Sequence, residues 1–192
     1  MNNLIVKLHG TSGSGKTTVA RTLMSDSQVT PILNQTNRKH EAYHCSHILL
    51  EQPLYVLGPY TATCGGLDSL NDVDEHMRLL STYSQLGHVF YEGLLGSEYY
   101  GRIGKLSEQW GDRHIFAFLD TPIDVCIDRI KARRLAAGND KPLNETNTRG
   151  RIPKIERLKY RLKHELHRQV IDVPHLYAAQ FVQQLYIGAE KS

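Results

Sequence analysis

The stretch Gly10-Thr11-Ser12-Gly13-Ser14-Gly15-Lys16-Thr17-Thr18 decides the reading of this chain, because its first eight residues satisfy GxxxxGK[ST] without a gap. Upstream, Asn3 to Leu8 is a short apolar run closed by glycine and reads as a buried strand. Downstream, Lys16 to Met24 reads as a helix with Val19, Leu23 and Met24 on its apolar face. A glycine-rich turn between a strand and a helix lets successive backbone N–H groups converge on a phosphate, and the helix start adds partial positive charge. Lys16 is then placed to reach β- and γ-phosphates, and Thr17 to hold magnesium. The expected ligands of residues 10–18 are therefore ATP and Mg2+.

The rest of the chain continues the alternation. Val73 to Gln85 is predicted as helix, His88 to Tyr91 as strand, Ser97 to Gln109 as helix, His114 to Leu119 as strand and Pro122 to Ala137 as helix. Asn139 to Gly150 reads as a polar loop, Pro153 to Arg168 as helix, and Val170 to Val173 and His175 to Leu185 as a closing strand and helix. Tyr43 to Leu50 and Pro53 to Tyr60 are candidate strands in an ambiguous region. This order predicts an α/β fold with a parallel sheet and helices on both faces. With 192 residues and 40% apolar content, one domain spanning 1–192 is expected.

Cys45, Cys64 and Cys126 are widely spaced and form no CxxC pair, which suggests neither a disulfide framework nor a zinc site and fits a reducing cytoplasm. No apolar run approaches the length of a spanning helix. The net charge of +3 is unevenly spread: residues 129–168 hold thirteen basic and four acidic side chains, a local +9, which leaves −6 elsewhere. On the helix from Pro153, Ile155, Leu158, Leu162 and Leu166 form the apolar stripe and Lys154, Arg157, Arg161, His164 and Arg168 share another face, as suits a polyanionic partner such as DNA.

Several side chains are candidates for chemistry. Val89-Phe90-Tyr91-Glu92-Gly93 is an apolar strand ending in a carboxylate, at the sheet edge where doubly wound folds bind ligands. Glu92 is a candidate to position the metal or to accept the proton of a substrate hydroxyl. Between Leu57 and Asp68, Tyr60 offers an aromatic face, Gly65 and Gly66 allow close backbone approach, and Asp68 adds a second candidate base. Arg129 and Arg133, four apart on one helix face, can aim two guanidiniums at one phosphate chain.

A glycine-rich loop alone does not separate kinases from other nucleotide hydrolases. No Asn-Lys-x-Asp sequence follows a strand, which argues against a GTPase, and the chain is short for a motor core. Leu119-Asp120-Thr121-Pro122, followed by the RxxxR of Arg129 and Arg133 and a polar stretch with Arg149 and Arg151, resembles the P-loop nucleoside and nucleotide kinases. The combination of GTSGSGKTT, the glycine pair before Asp68, YEGLL and LDTP is similar to small phage-type P-loop kinases, some of which act on 5-hydroxymethyluracil in DNA. The resemblance implies a three-layer kinase fold, a lid over residues 136–153 whose arginines close on the phosphates, and an acceptor site lined by Tyr60, Gly65, Gly66 and Asp68. It further implies transfer of a γ-phosphoryl group to a hydroxyl, with the 5-hydroxymethyl group of a DNA pyrimidine as acceptor. A soluble nucleoside or nucleotide kinase is the rival within the same chemistry, and a nucleotide-binding module without turnover is the rival outside it.

Overall fold

The computed structural model describes residues 3–63, 65–70, 72–93, 104 and 107–191. Seven strands form one sheet in the order β2-β3-β4-β5-β1-β6-β7. They are β1 (Ile5–His9), β2 (Ser27–Leu33), β3 (His40–His47), β4 (Leu54–Leu57), β5 (His88–Glu92), β6 (His114–Leu119) and β7 (Gln169–Val173). Among the described residues the helices with defined bounds are α1 (Lys16–Ser25), α2 (Val73–Tyr83), α3 (Ile123–Ala136), α4 (Glu145–Arg149), α5 (Ile152–His164) and α6 (Ala178–Glu190).

The five strands β4, β5, β1, β6 and β7 are mutually parallel, but β3 runs antiparallel to both β2 and β4. The sheet is therefore mixed, which corrects the expectation of a wholly parallel one. The cause is local. Asn34 receives Arg38 N–H at 2.9 Å and donates to Lys39 at 2.8 Å, while its side-chain oxygen accepts from Thr36 and Asn37. A turn this tight reverses the chain and leaves no room for the crossover that parallel neighbours require. β2 forms one sheet edge, with the exposed Pro31 at its middle, opposite Tyr43 of β3.

Two smaller corrections follow the same logic. The stretch read as a loop from Asn139 to Gly150 contains α4, started by Asn144, whose side chain accepts from Asn147 N–H at 3.3 Å. The helix expected over Ser97 to Gln109 lies outside the described residues apart from its last few positions and Gly104.

Alternation along the central strand sorts the helices onto two faces. Leu4, Val6 and Leu8 pack with Val19, Ala20 and Leu23 of α1 and Val182 and Tyr186 of α6. Ile5 faces the other way, toward Leu79, Leu80 and Tyr83 of α2. On that second side Phe116 and Phe118 of β6 receive Leu158 and Leu162 of α5. Each such side chain contributes about 1.5–3 kcal/mol by leaving water. The packing fixes the carboxyl ends of β1, β5 and β6 at one edge, where the glycine-rich loop connects β1 to α1.

Candidate active site

The loop leaving β1 takes a path that only glycine adopts without strain at two points, Gly13 (φ 81°) and Gly15 (φ 106°). A β-carbon on Gly13 would stand 2.3 Å from the Cys126 carbonyl of α3, so loop and helix touch backbone to backbone. Gly15 is the N-cap of α1 and offers no side-chain acceptor, and the first turn of α1 holds no acid. The first N–H groups of α1 thus keep their donors and their positive field for a ligand.

Lys16 is 7% exposed, and its ammonium donates to the carbonyls of Gly10 (2.9 Å) and Thr11 (3.0 Å), folded back over the loop. Burial holds it below its ordinary range, while Glu92 and Asp68 work in the opposite direction. Thr17 donates its hydroxyl to Oε1 of Glu92 at 2.6 Å. Glu92 ends β5 and is 2% exposed. Burial raises the pKa of Glu92, and the Thr17 hydrogen bond and the Lys16 charge oppose that rise. A hydroxyl and a carboxylate converging at the foot of a phosphate-sized loop are the hard oxygen donors that a magnesium ion accepts.

A cleft of about 660 Å³ opens here, with Ser12 to Thr18, Gly65, Asp68, Glu92, Arg129 and Arg133 among its lining residues. Arg129 of α3 donates to the carbonyls of Gly13 and Ser14 at 3.3 Å, and Thr121 donates to Ser14 at 2.8 Å. From the N-terminus of α5, Arg151 reaches Ser12 Oγ at 3.1 Å. Arg149 is instead engaged with Asp124 at 2.7 Å and Glu145 at 3.4 Å, tying α4 to the first turn of α3.

The four residues predicted around the acceptor divide. Asp68 sits on the short 3-10 turn Leu67–Ser69 and reaches the end of β5, where a β-carbon on Gly93 would meet its Oδ1 at 2.9 Å. Gly65 lines the cleft with it. Gly66 lies behind, so close to Glu92 that a β-carbon would stand 2.8 Å from the Glu92 side chain. Tyr60 is 7% exposed, lies edge-on to Tyr43 at 6.0 Å and is packed against Gly65, so its ring supports the turn from within the core instead of presenting a face to the cleft. The Tyr60 hydroxyl has no hydrogen-bond partner among the described residues.

Sequence reasoning passed over part of the lining. Arg21, one helical turn beyond Thr17, faces the cleft and donates to the Ala62 carbonyl at 2.5 Å. Its i+4 spacing from Thr17 was the available signal. His175, Leu176 and Gln180 close the far wall. His175 is fixed by Asp120, whose carboxylate accepts from its backbone N–H at 2.7 Å and lies 3.1 Å from its Nδ1. On the basic helix face, Arg157 is exposed, Arg161 pairs with Glu165, and Arg168 turns inward to Gly104 and Glu108.

Two curated proteins are similar to the chain. One, named 5-hmdU DNA kinase, from Pseudomonas phage PaMx11, is 32% identical over 150 residues, covering 77% of this chain and 79% of its own. Another of the same name, from Pseudomonas phage M6, is 28% identical over 162 residues, covering 80% and 82%. No family model matches the chain, and neither does any solved structure.

Proposed function

The chain belongs to the 5-hmdU DNA kinase family, and from that premise we propose that it transfers the γ-phosphoryl group of ATP to the 5-hydroxymethyl oxygen of 5-hydroxymethyluracil in DNA. The observation that carries the reading is the meeting of Thr17 and Glu92, 2.6 Å apart, beneath a loop whose lysine is already drawn over its carbonyls. In this reading the architecture is a three-layer P-loop kinase fold in one domain over 1–192, with residues 136–153 as the lid.

Residues 10–18 bind the triphosphate through their amides, and Lys16 moves from the carbonyls of Gly10 and Thr11 onto the β- and γ-phosphates. Thr17 and Glu92 would hold magnesium, and the ion would supply charge neutralisation on the phosphate oxygens. Among the described residues no group of three or more carboxylates, imidazoles or thiols could hold a metal, so most of the ion's ligands would come from water and phosphate. Arg129 and Arg133 face the charge that spreads over the transferred group. The exposed Leu176, with Ala179, offers an apolar wall for the purine.

At the acceptor end, Asp68, which lines the cleft together with Gly65, serves as the base. Asp68 takes the hydroxymethyl proton as the oxygen attacks γ-phosphorus; the bond to the bridging oxygen breaks and ADP leaves. A base within a duplex must leave the stack to reach Asp68, at a cost of a few kcal/mol. Gly65 and Asp68, both lining the cleft, would receive it.

Incubation with labelled ATP and three acceptors tests the reading. Label should enter intact DNA containing hydroxymethyluracil and stay out of ordinary DNA and free nucleosides. Label in free nucleosides at a comparable rate would move the chain to the soluble nucleoside kinases, and ATP binding without product for any acceptor would remove it from the enzymes.

A further inference from the structure

Between Ile152 and His164, α5 holds Lys154, Arg157, Lys159, Arg161 and Lys163 against a single acid, Glu156. Lys159 is engaged with Asp172, and Arg161 with Glu165. Lys154, Arg157 and Lys163 are exposed and have no acidic partner among the described residues. In their midst stands an aromatic side chain that core packing does not explain. Tyr160 is 62% exposed, whereas Leu158 and Leu162 of the same helix are seated on β6. Its ring lies against that of the exposed His164, one turn further on, with centroids 4.5 Å apart and planes inclined at 36°. Rings set among cations are what a single nucleic-acid strand needs, since its bases stack on the rings and its phosphates pair with the charges.

This face is continuous with the cleft. α5 begins beside the glycine-rich loop, where Arg151 reaches Ser12 Oγ at 3.1 Å. A hollow of about 370 Å³ lies at that junction and shares Ser12 and Arg133 with the cleft. Arg133, Arg134 and Arg151 line it, and no acid does. Arg134 donates through its Nη2 to Asn139 and to the Lys141 carbonyl, but its buried Nε has no partner among the described residues and can serve an oxyanion. From Arg151 to Tyr160 the helix rises about 14 Å, which is roughly four steps of a nucleic-acid strand.

We propose that the hollow and the outer face of α5 form a track for the DNA strand that flanks the target nucleotide. Arg133, Arg134 and Arg151 take a backbone phosphate at the edge of the cleft, Arg157 takes a second, and Tyr160 with His164 stacks an unpaired base. The proposal rests on DNA being the acceptor and deepens that reading, because it gives the polymer a hold that a free nucleoside cannot use. Every base offers a π-face, so the track adds affinity without reading sequence. Selection of hydroxymethyluracil stays with the cleft.

Equilibrium binding to an ordinary single-stranded oligonucleotide, free of hydroxymethyluracil, tests the track apart from the chemistry. Tyr160→Ala should weaken binding roughly tenfold without altering its salt dependence, and Tyr160→Trp should keep the parent affinity. Arg157→Ala should weaken binding and reduce the slope of log K against log salt by about 0.7. Both side chains are exposed, so thermal melts should match the parent. With the modified strand as substrate, both alanine variants should raise the KM for DNA and leave the KM for ATP unchanged. Parent-like affinity in Tyr160→Ala, or a parent-like salt slope in Arg157→Ala, overturns the track; label still entering DNA would then leave the acceptor assignment standing. Label in free nucleosides and none in DNA overturns the acceptor assignment and the track with it.

Discussion

Single atoms decide much of this site. A β-carbon at Gly13 would meet the Cys126 carbonyl at 2.3 Å on a backbone of φ 81°, and neither helix nor loop can yield. Gly13→Ala should therefore cost at least about 2 kcal/mol, read as a lowered urea midpoint. Lys16→Ala should keep the fold and lower turnover on the order of 10²–10³-fold, read by label transfer. Tyr60→Phe should be neutral or stabilising by up to about 1 kcal/mol, because the hydroxyl it removes is buried without a partner among the described residues. The contrast between Lys16 and Tyr60 marks what a sequence can reveal. Residues 10–17 take their turn between β1 and α1 through local backbone geometry, so spacing alone located the turn. Whether Tyr60 faces a ligand or the core depends on Tyr43, seventeen positions away, and nothing in its own segment records that contact.

Among the elements, α3 sends a guanidinium to two carbonyls of the glycine-rich loop. Arg129→Ala removes a guanidinium that bonds two loop carbonyls and should lower kcat by about 10²-fold, with a small effect on stability. Arg149→Ala breaks exposed, solvent-screened pairs with Asp124 and Glu145 and should leave the midpoint of a thermal melt essentially unmoved. Legibility at this scale followed periodicity. β6 was readable as an unbroken apolar run and α5 because its apolar residues recur at helical spacing, whereas β3, with its His, Tyr, Cys and Ser, is buried by neighbours on both sides and shows no clean alternation. The mixed sheet was hidden for that reason, since its reversed strand is also its least patterned.

At the scale of the whole molecule, five histidines, His9, His47, His76, His88 and His114, are all held below the ordinary imidazole value of 6.5, each chiefly by burial. His88 shows the mechanism: its Nδ1 accepts Leu4 N–H at 2.9 Å, a bond that a second ring proton would break. A group with a depressed folded pKa contributes full stability above its unfolded value and loses it as the pH falls. The melting temperature should thus drop steadily between pH 7 and pH 5; a flat profile would show these rings to be solvated. The edge strand β2 bears on a different kind of persistence. Its free side could template another chain, but Pro31 removes one donor from the middle of that strip. Pro31→Val would restore the donor and leave the cleft beside the glycine-rich loop untouched, yet make the chain adhesive to its own copies. Light scattering of Pro31→Val should then rise with concentration more steeply than that of the parent chain, tying dispersal to a residue with no part in the chemistry.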